Sequence, residues 1–357
     1  MVKRVDVSSL LTSASRPVLD VRTPAEFAQG HIPGALNLPL FSNEERIAVG
    51  TTYKQQGREA AILLGFELTG PKWAGYIRTA LEMAPSKKVM IHCWRGGMRS
   101  DAMAWALNLY GFDVEVIEGG YKAFRRQAYE QFARKMPLRV IGGMTGSGKT
   151  TLLRQLGRTG EAVIDLEGIA VHQGSAYGSM NRTAQPTQEQ FENNLALAIH
   201  ELFKGQEPKH VWIEDECINI GNCQLPQALW KQIQQSPVIE VQTAHPTRVS
   251  SLAKEYGSLD NGFLLESTKR IAKRLGPVQT RLAIEAISEG RMEDFVAAVL
   301  VYYDKSYNKA LAKRPAVDIV PIDSTAIDQS NPAASLIDAM KYKDKHEFSD
   351  SLTQQSS

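Results

Sequence analysis

Short apolar runs alternate with stretches of helical periodicity along most of the chain. Residues 18–21, 89–92 and 114–117 are apolar runs of strand length. Between the last two, Met103, Leu107 and Tyr110 recur at helical spacing and predict a helix over about 100–110. Strands taken in turn with helices predict a parallel sheet with helices on its faces. The alternation restarts after Lys135-Met136-Pro137, where 138–141, 162–165, 211–214 and 237–241 read as strands. From about 248 to 315 the pattern is mainly helical and heavily charged, and beyond Lys341 it is polar and expected to fray.

Length fits this division. The 357 residues amount to about 2.4 domains at ~150 residues each. The expected boundaries are 1–135, 136–325, and a polar segment 326–357 that is flexible at its end. The formal net charge of +2 excludes a polycationic arm but not a local basic face. No apolar run reaches the ~18 residues of a membrane span, and the first residues lack a signal-peptide core, so a cytoplasmic protein without membrane contact is expected. The three cysteines, Cys93, Cys217 and Cys223, form no Cys-x-x-Cys pair and exclude a disulfide scaffold.

Cys93 has unusual neighbours. The segment His92-Cys93-Trp94-Arg95-Gly96-Gly97-Met98-Arg99-Ser100 follows a strand and precedes a helix, the position at which open α/β sheets bind ligands. The free N–H groups of the helix start, the cations of Arg95 and Arg99, and the absence of any acid from 91 to 100 all favour a thiolate. Gly96 and Gly97 let the backbone curl its N–H groups inward around an anion.

Gly143-Met144-Thr145-Gly146-Ser147-Gly148-Lys149-Thr150 matches Gly-x4-Gly-Lys-[Ser/Thr] between a strand and a helix, the context of a phosphate-binding P-loop. Its N–H groups would converge on phosphate oxygens, with Gly143, Gly146, Ser147 and Gly148 shaping the turn. Lys149 would hold the outer phosphate, and Thr150 would be a ligand if magnesium is used. Glu214 or Asp215, in the acidic strand end Glu214-Asp215-Glu216, would orient a metal-bound water. Asp165 and Glu167 are weaker candidates for the same place. Such a loop stabilises charge developing on phosphate oxygens, which assists phosphoryl transfer and the departure of diphosphate from carbon alike.

Two basic stretches are candidates for a polyanion. Lys54 and Arg58 lie in the insertion 49–60. Residues 267–281 hold Lys269, Arg270, Lys273, Arg274 and Arg281 with no acid. Lys269/Lys273 and Arg270/Arg274 are like-charged i, i+4 pairs, a mild cost that a polyanion would offset.

The stretch Asp20-Val21-Arg22 through Gly30-His31-Ile32-Pro33-Gly34-Ala35, with the Cys93 loop, resembles the rhodanese family over about residues 5–130. That family moves sulfur or a related chalcogen through its loop cysteine. Five residues separate Cys93 from Arg99 where simple sulfurtransferases have four. The longer spacing resembles dual-specificity phosphatases, so the loop alone leaves chalcogen transfer and phosphatase chemistry both open.

The whole chain resembles the tRNA 2-selenouridine synthase family. The resemblance rests on a rhodanese-like domain followed by a P-loop domain, on Gly50-Thr51-x-Tyr53-Lys54-Gln55-x-Gly57, Cys93–Ser100 and Glu214-Asp215-Glu216. It extends to His172-x-Gly174-Ser175, Gln185-Pro186-Thr187-Gln188 and Tyr302-Tyr303-Asp304. Cys217 after Glu216, and Gln173 after His172, depart from the family's pattern.

The resemblance implies an α/β fold, with a rhodanese-like parallel sheet and a P-loop NTPase-like domain carrying a helical C-terminal extension. It implies conversion of wobble 2-thiouridine in tRNA to 2-selenouridine, with selenophosphate and geranyl diphosphate as co-substrates and an S-geranyl intermediate. Cys93 would carry selenium or handle the selenophosphate, held by Arg95, Gly96, Gly97 and Arg99. The Gly143–Thr150 loop would hold the diphosphate, and the basic helix the tRNA. A selenophosphate-supplying enzyme is a further implied partner; DNA is not. The competing functions are a cysteine-dependent phosphatase and a P-loop kinase or NTPase with a regulatory rhodanese module.

Overall fold

The computed structural model describes residues 2–12, 16–173, 175, 177, 184–315 and 318–341. The expected fraying beyond Lys341, and Gly174 of the His172 motif, lie outside the described residues. The chain forms two compact units: Met1–Gln131 with Glu189–Leu197, and Phe132–Gln188 with Ala198–Ser357.

The first unit is built on five parallel strands in the order β1-β5-β4-β2-β3. They are β1 (Lys3–Val5), β2 (Val18–Asp20), β3 (Leu36–Asn37), β4 (Lys88–His92) and β5 (Asp113–Ile117). Successive residues of β4 enter different cores. Val89 and Ile91 pack with Met103 and Leu107, and Met90 packs with Ile117, Tyr121 and Phe124. A strand buried on both faces reads as one apolar run, which is why 89–92 stands out in the sequence. The edge strands β1 and β3, three and two residues long, carry no such run. Helices α1 (Ser9–Thr12), α2 (Pro24–Gln29), α3 (Asn43–Gln56), α4 (Arg58–Thr69), α5 (Trp73–Met83), α6 (Met98–Leu109) and α7 (Gly120–Ala133) complete the order. α6 starts at Met98, two residues before the position that the apolar spacing predicts, with Gly97 as its N-cap.

The second unit also has five parallel strands, ordered β12-β11-β6-β8-β7. These are β6 (Leu138–Gly142), β7 (Ala162–Ile164), β8 (Val211–Glu214), β11 (Val238–Gln242) and β12 (Ile319–Asp323). An antiparallel pair, β9 (Asn219–Ile220) and β10 (Cys223–Gln224), stands apart. The first strand, β6, is central, with β8 on one side and β11 on the other. Its carboxyl end is therefore the topological switch point where such sheets bind ligands. The connecting helices are α8 (Lys149–Arg158), α9 (Leu166–Ala170) and α11 (Gln227–Gln235), together with α10 (Gln188–Leu202), most of which is counted with the first unit. Then α12 (His245–Tyr256), α13 (Asn261–Leu275), α14 (Pro277–Ser288) and α15 (Met292–Leu311) gather around Leu252, Leu264, Ile271, Phe295 and Val299.

The core of this unit continues past residue 325. Ile327, and Ala333 and Leu336 of a helix over 332–341, pack with Leu153, Trp212 and Ile239. β12 escapes the sequence pattern because it holds Pro321 and only alternate residues are buried. It is an edge strand, where proline is tolerated. Among the described residues no helix is long and apolar enough to cross a membrane.

Candidate active sites

In the first unit β4 ends at His92, and Cys93 opens a loop that closes at the start of α6. The Cys93 side chain is buried. The N–H of Gly97 donates to its Sγ at 3.3 Å, and Ser100 Oγ lies 3.4 Å from it, within reach of the Gly97 carbonyl as well. Burial by itself would raise the thiol pKa. Hydrogen bonds from Ser100 Oγ and from the N–H groups of Arg95, Gly97 and Ser100 outweigh it and hold Cys93 below the usual thiol value.

The loop is backed by a feature that sequence reasoning missed, the first turn of α7. Tyr121 N–H donates to Cys93 O and Lys122 N–H to Trp94 O, each at 2.9 Å. A Cβ on Gly120 would stand 2.4 Å from Cys93 O, and one on Gly96 would stand 2.5 Å from Ile117 O. The signal was the Gly119-Gly120 pair after the strand ending at Ile117. Tyr121 also stacks against Arg22, whose guanidinium carbon is 3.8 Å from the ring centroid and which is clamped by Asp20. Glu189 and Asn193 hold the Tyr121 hydroxyl.

The two loop arginines differ. Arg95 is exposed. Arg99 is bound through both terminal nitrogens to Glu26 of α2, so an acid far away in sequence neutralises part of the expected positive field. Burial would raise the Glu26 pKa, but Arg99 holds it below the usual carboxylate range. Lys54 and Arg58 stand on either side of Gly57 at the α3–α4 corner, both exposed.

In the second unit the P-loop leaves β6 and enters α8. Gly146 and Gly148 have φ of +80° and +87°, and Gly143 also lies at positive φ. A Cβ at Gly146 would meet Leu252 of α12 at 2.8 Å. Lys149 Nζ folds back to the Gly143 carbonyl at 2.7 Å. Ser147 Oγ is buried without a partner. Arg248 of α12, itself buried, donates to Thr145 O at 3.1 Å and grips both oxygens of Asp304, bracing the loop apex from α15.

The acidic residues are arranged differently from the sequence expectation. Thr150 Oγ1 donates to Glu167 Oε2 at 2.9 Å, so Glu167 occupies the place expected for Glu214 or Asp215. The Glu214 carboxylate turns to the start of α9 and accepts from Leu166 N–H at 2.9 Å. Asp215 is held by Arg314 at 2.6 Å, and Asp165 caps α9. Burial, then repulsion from Asp165 and Glu167, pushes Glu214 up to about 9, and burial pushes Glu216 up to about 8. Among the described residues no group of three or more His, Cys, Asp or Glu side chains could hold a metal ion. A magnesium ion here would take Thr150, Glu167, phosphate oxygens and water, a donor set that suits it.

Lys269, Arg270, Lys273 and Arg274 are all exposed on α13. Tyr302 and Tyr303 pack against the helical core and the Tyr307 hydroxyl is buried, so these rings serve packing.

Residues 136–330 match the family model of the tRNA 2-selenouridine synthase AAA domain, and residues 5–127 match the rhodanese-like domain. The chain belongs to the tRNA 2-selenouridine synthase family. It is 34% identical to the tRNA 2-selenouridine synthase of Shewanella oneidensis over 343 residues, covering 84% of this chain and 88% of that one. The Salmonella typhi relative of the same name is 41% identical over 267 residues, covering 71% and 69%. The Nitrosomonas europaea relative is 38% identical over 263 residues, and the match spans 71% of this chain and 66% of that protein's length. In this synthase-family chain the cysteine loop falls in the rhodanese-like part and the P-loop in the AAA part.

Proposed function

We propose that this chain is a tRNA-modifying enzyme that replaces the sulfur of wobble 2-thiouridine with selenium, by way of an S-geranyl intermediate. The observation that carries the reading is the pairing, in one chain of this family, of a thiol held below its usual pKa in an N–H-lined loop with a P-loop whose lysine rests on its own backbone.

The P-loop binds the diphosphate of geranyl diphosphate. Lys149 exchanges the Gly143 carbonyl for a phosphate oxygen, and the loop N–H groups take the charge that grows as diphosphate leaves. The thiouridine sulfur attacks the geranyl carbon. Alkylation converts a poor leaving sulfur into a better one, which selenium then displaces. Magnesium, when bound, adds charge neutralisation at the same phosphates, with Thr150 and Glu167 as its protein ligands. Cys93 handles the selenophosphate, which a separate enzyme supplies.

The test is to incubate thiolated tRNA with geranyl diphosphate, then with selenophosphate, and to analyse the nucleosides by mass. S-geranylation followed by selenation is expected; neither mass change would overturn the reading. Lys149→Ala should mainly impair geranylation and Cys93→Ser should abolish selenation. Wild-type geranylation by Lys149→Ala would remove the P-loop from that step.

A further inference from the structure

We infer that Cys93 attacks the phosphorus of selenophosphate rather than its selenium, passing through an S-phosphocysteine and releasing hydrogen selenide ion for the tRNA. The inference rests on the proposed function and assigns the chemistry of its thiol.

The first support is the shape of the cradle. The Gly97 N–H and the Ser100 hydroxyl converge on Sγ, at the start of a helix whose N-cap, Gly97, offers no side-chain cap. Donors so placed fit the oxygens of a tetrahedral phosphorus bonded to Sγ. Five residues separate Cys93 from Arg99, which gives the loop one more backbone N–H than a four-residue spacing has, and Glu26 fixes the Arg99 guanidinium in place.

The second support is the electron count. Selenium in selenophosphate is already at the selenide level. Moving it onto a thiolate as a perselenide would take two electrons away, and nothing in the proposed reaction accepts them. Attack at phosphorus needs no oxidant. The Sγ–P bond forms, the P–Se bond breaks, and its electron pair leaves with selenium as hydrogen selenide ion, whose proton is the one that the selenophosphate dianion brought with it. Water then cleaves the S–P bond, the electron pair returns to Sγ, and inorganic phosphate departs with the proton. Ser100 Oγ, 3.4 Å from Sγ, stabilises the departing thiolate. The selenide ion displaces the geranylated sulfur as geranylthiolate.

The third support is the state of the surrounding acids. Glu26, Asp20 and Asp101, the carboxylates bonded around the loop, are each held by an arginine: Arg99, Arg22 and Arg4. His92 is fully buried, and burial lowers its pKa. Hydrogen selenide ion is a weak base that leaves without a proton from the protein, whereas the alkoxide of a phosphate ester requires an acid. The same thiol in the same loop is therefore suited to selenophosphate and poorly suited to phosphate esters.

The experiment uses the full chain, thiolated and geranylated tRNA, and selenophosphate labelled separately in phosphorus and in selenium, with a rapid quench and isolation of the Cys93 peptide. Phosphorus label on Cys93 is expected, accumulating in Ser100→Ala and missing in Cys93→Ser. Selenium label on Cys93 would overturn the inference. So would selenation of tRNA with neither label on the peptide. Parallel nucleoside analysis separates the two ideas: failure of wild type to selenate tRNA sinks the proposed function itself, while selenation with selenium-labelled Cys93 sinks only the phosphocysteine.

Discussion

Glu26 and Arg99 meet through two hydrogen bonds, 2.6 and 3.1 Å long, between helices that start 74 residues apart in sequence, at Pro24 and Met98 (98 − 24 = 74). The pair fixes the last cation of the cysteine loop. Glu26 titrates below its ordinary value in the folded protein, so the pair's stabilisation is present above about pH 4.5 and is lost as pH falls through the folded value. Glu26→Gln should cost about 1–2 kcal/mol near neutrality, between the values for exposed and buried pairs. The difference from wild type should shrink in acid. Urea melts at several pH values check this, and a constant difference down to acid pH would count against the pair.

Ser100 governs the reactivity of Cys93. Removing its hydroxyl takes away the largest of the groups that lower the thiol pKa and leaves the backbone donors alone against burial, which raises it. Ser100→Ala should move the pH midpoint of Cys93 alkylation upward. Alkylation near pH 7 should slow roughly tenfold for every pH unit by which that midpoint rises. Alkylation rates against pH, with the exposed Cys217 replaced by serine, provide the measurement. An unmoved midpoint would mean that the backbone donors alone hold the thiolate.

Glu214 stores an acid-base cost in the second unit. Its folded pKa of about 9 lies above the unfolded value, so the unfolded chain releases this proton first as pH rises. Stability should fall as pH climbs from about 4.5 towards 9. Glu214→Gln keeps an oxygen for Leu166 N–H and removes the titration, so it should gain stability over wild type around pH 8 and match it near pH 4. Thermal melts at both values decide the matter. A variant destabilised equally at both would show that Glu214 is ionised in the fold.

The α13 face is the candidate for tRNA phosphates. Lys273 and Arg281 flank a shallow groove over Ala272, Gly276, Pro277 and Ile284, whose lining also includes Glu285. Lys269→Glu with Lys273→Glu should weaken tRNA binding. It should also flatten the plot of log affinity against log salt by about one in slope for each phosphate no longer neutralised. Binding isotherms over a salt series measure both. Unchanged affinity and slope would leave Lys54 and Arg58 as the remaining candidates.

By itself the sequence determined whatever depends on neighbours along the chain. Apolar runs marked the central strands because both faces are buried, as at Val89–Ile91. Glycine spacing marked the P-loop because the turn is local. Cys93, Gly96 and Gly97 lie within one loop before a helix start, so N–H groups around the thiol and a lowered thiol pKa were legible, whereas the Ser100 hydroxyl beside Sγ was not. Only the tertiary structure decided the partners. Arg99 faces Glu26, Thr150 faces Glu167, and Asp215 faces Arg314 at a separation of 99 residues. Gly120 and Tyr121 reach the back of the cysteine loop because β4 and β5 are adjacent and parallel, with both carboxyl ends on one edge of the sheet. An ion pair is chosen by which strand ends and helix starts the packed sheet brings within a few ångströms, and spacing along the chain carries no record of that choice.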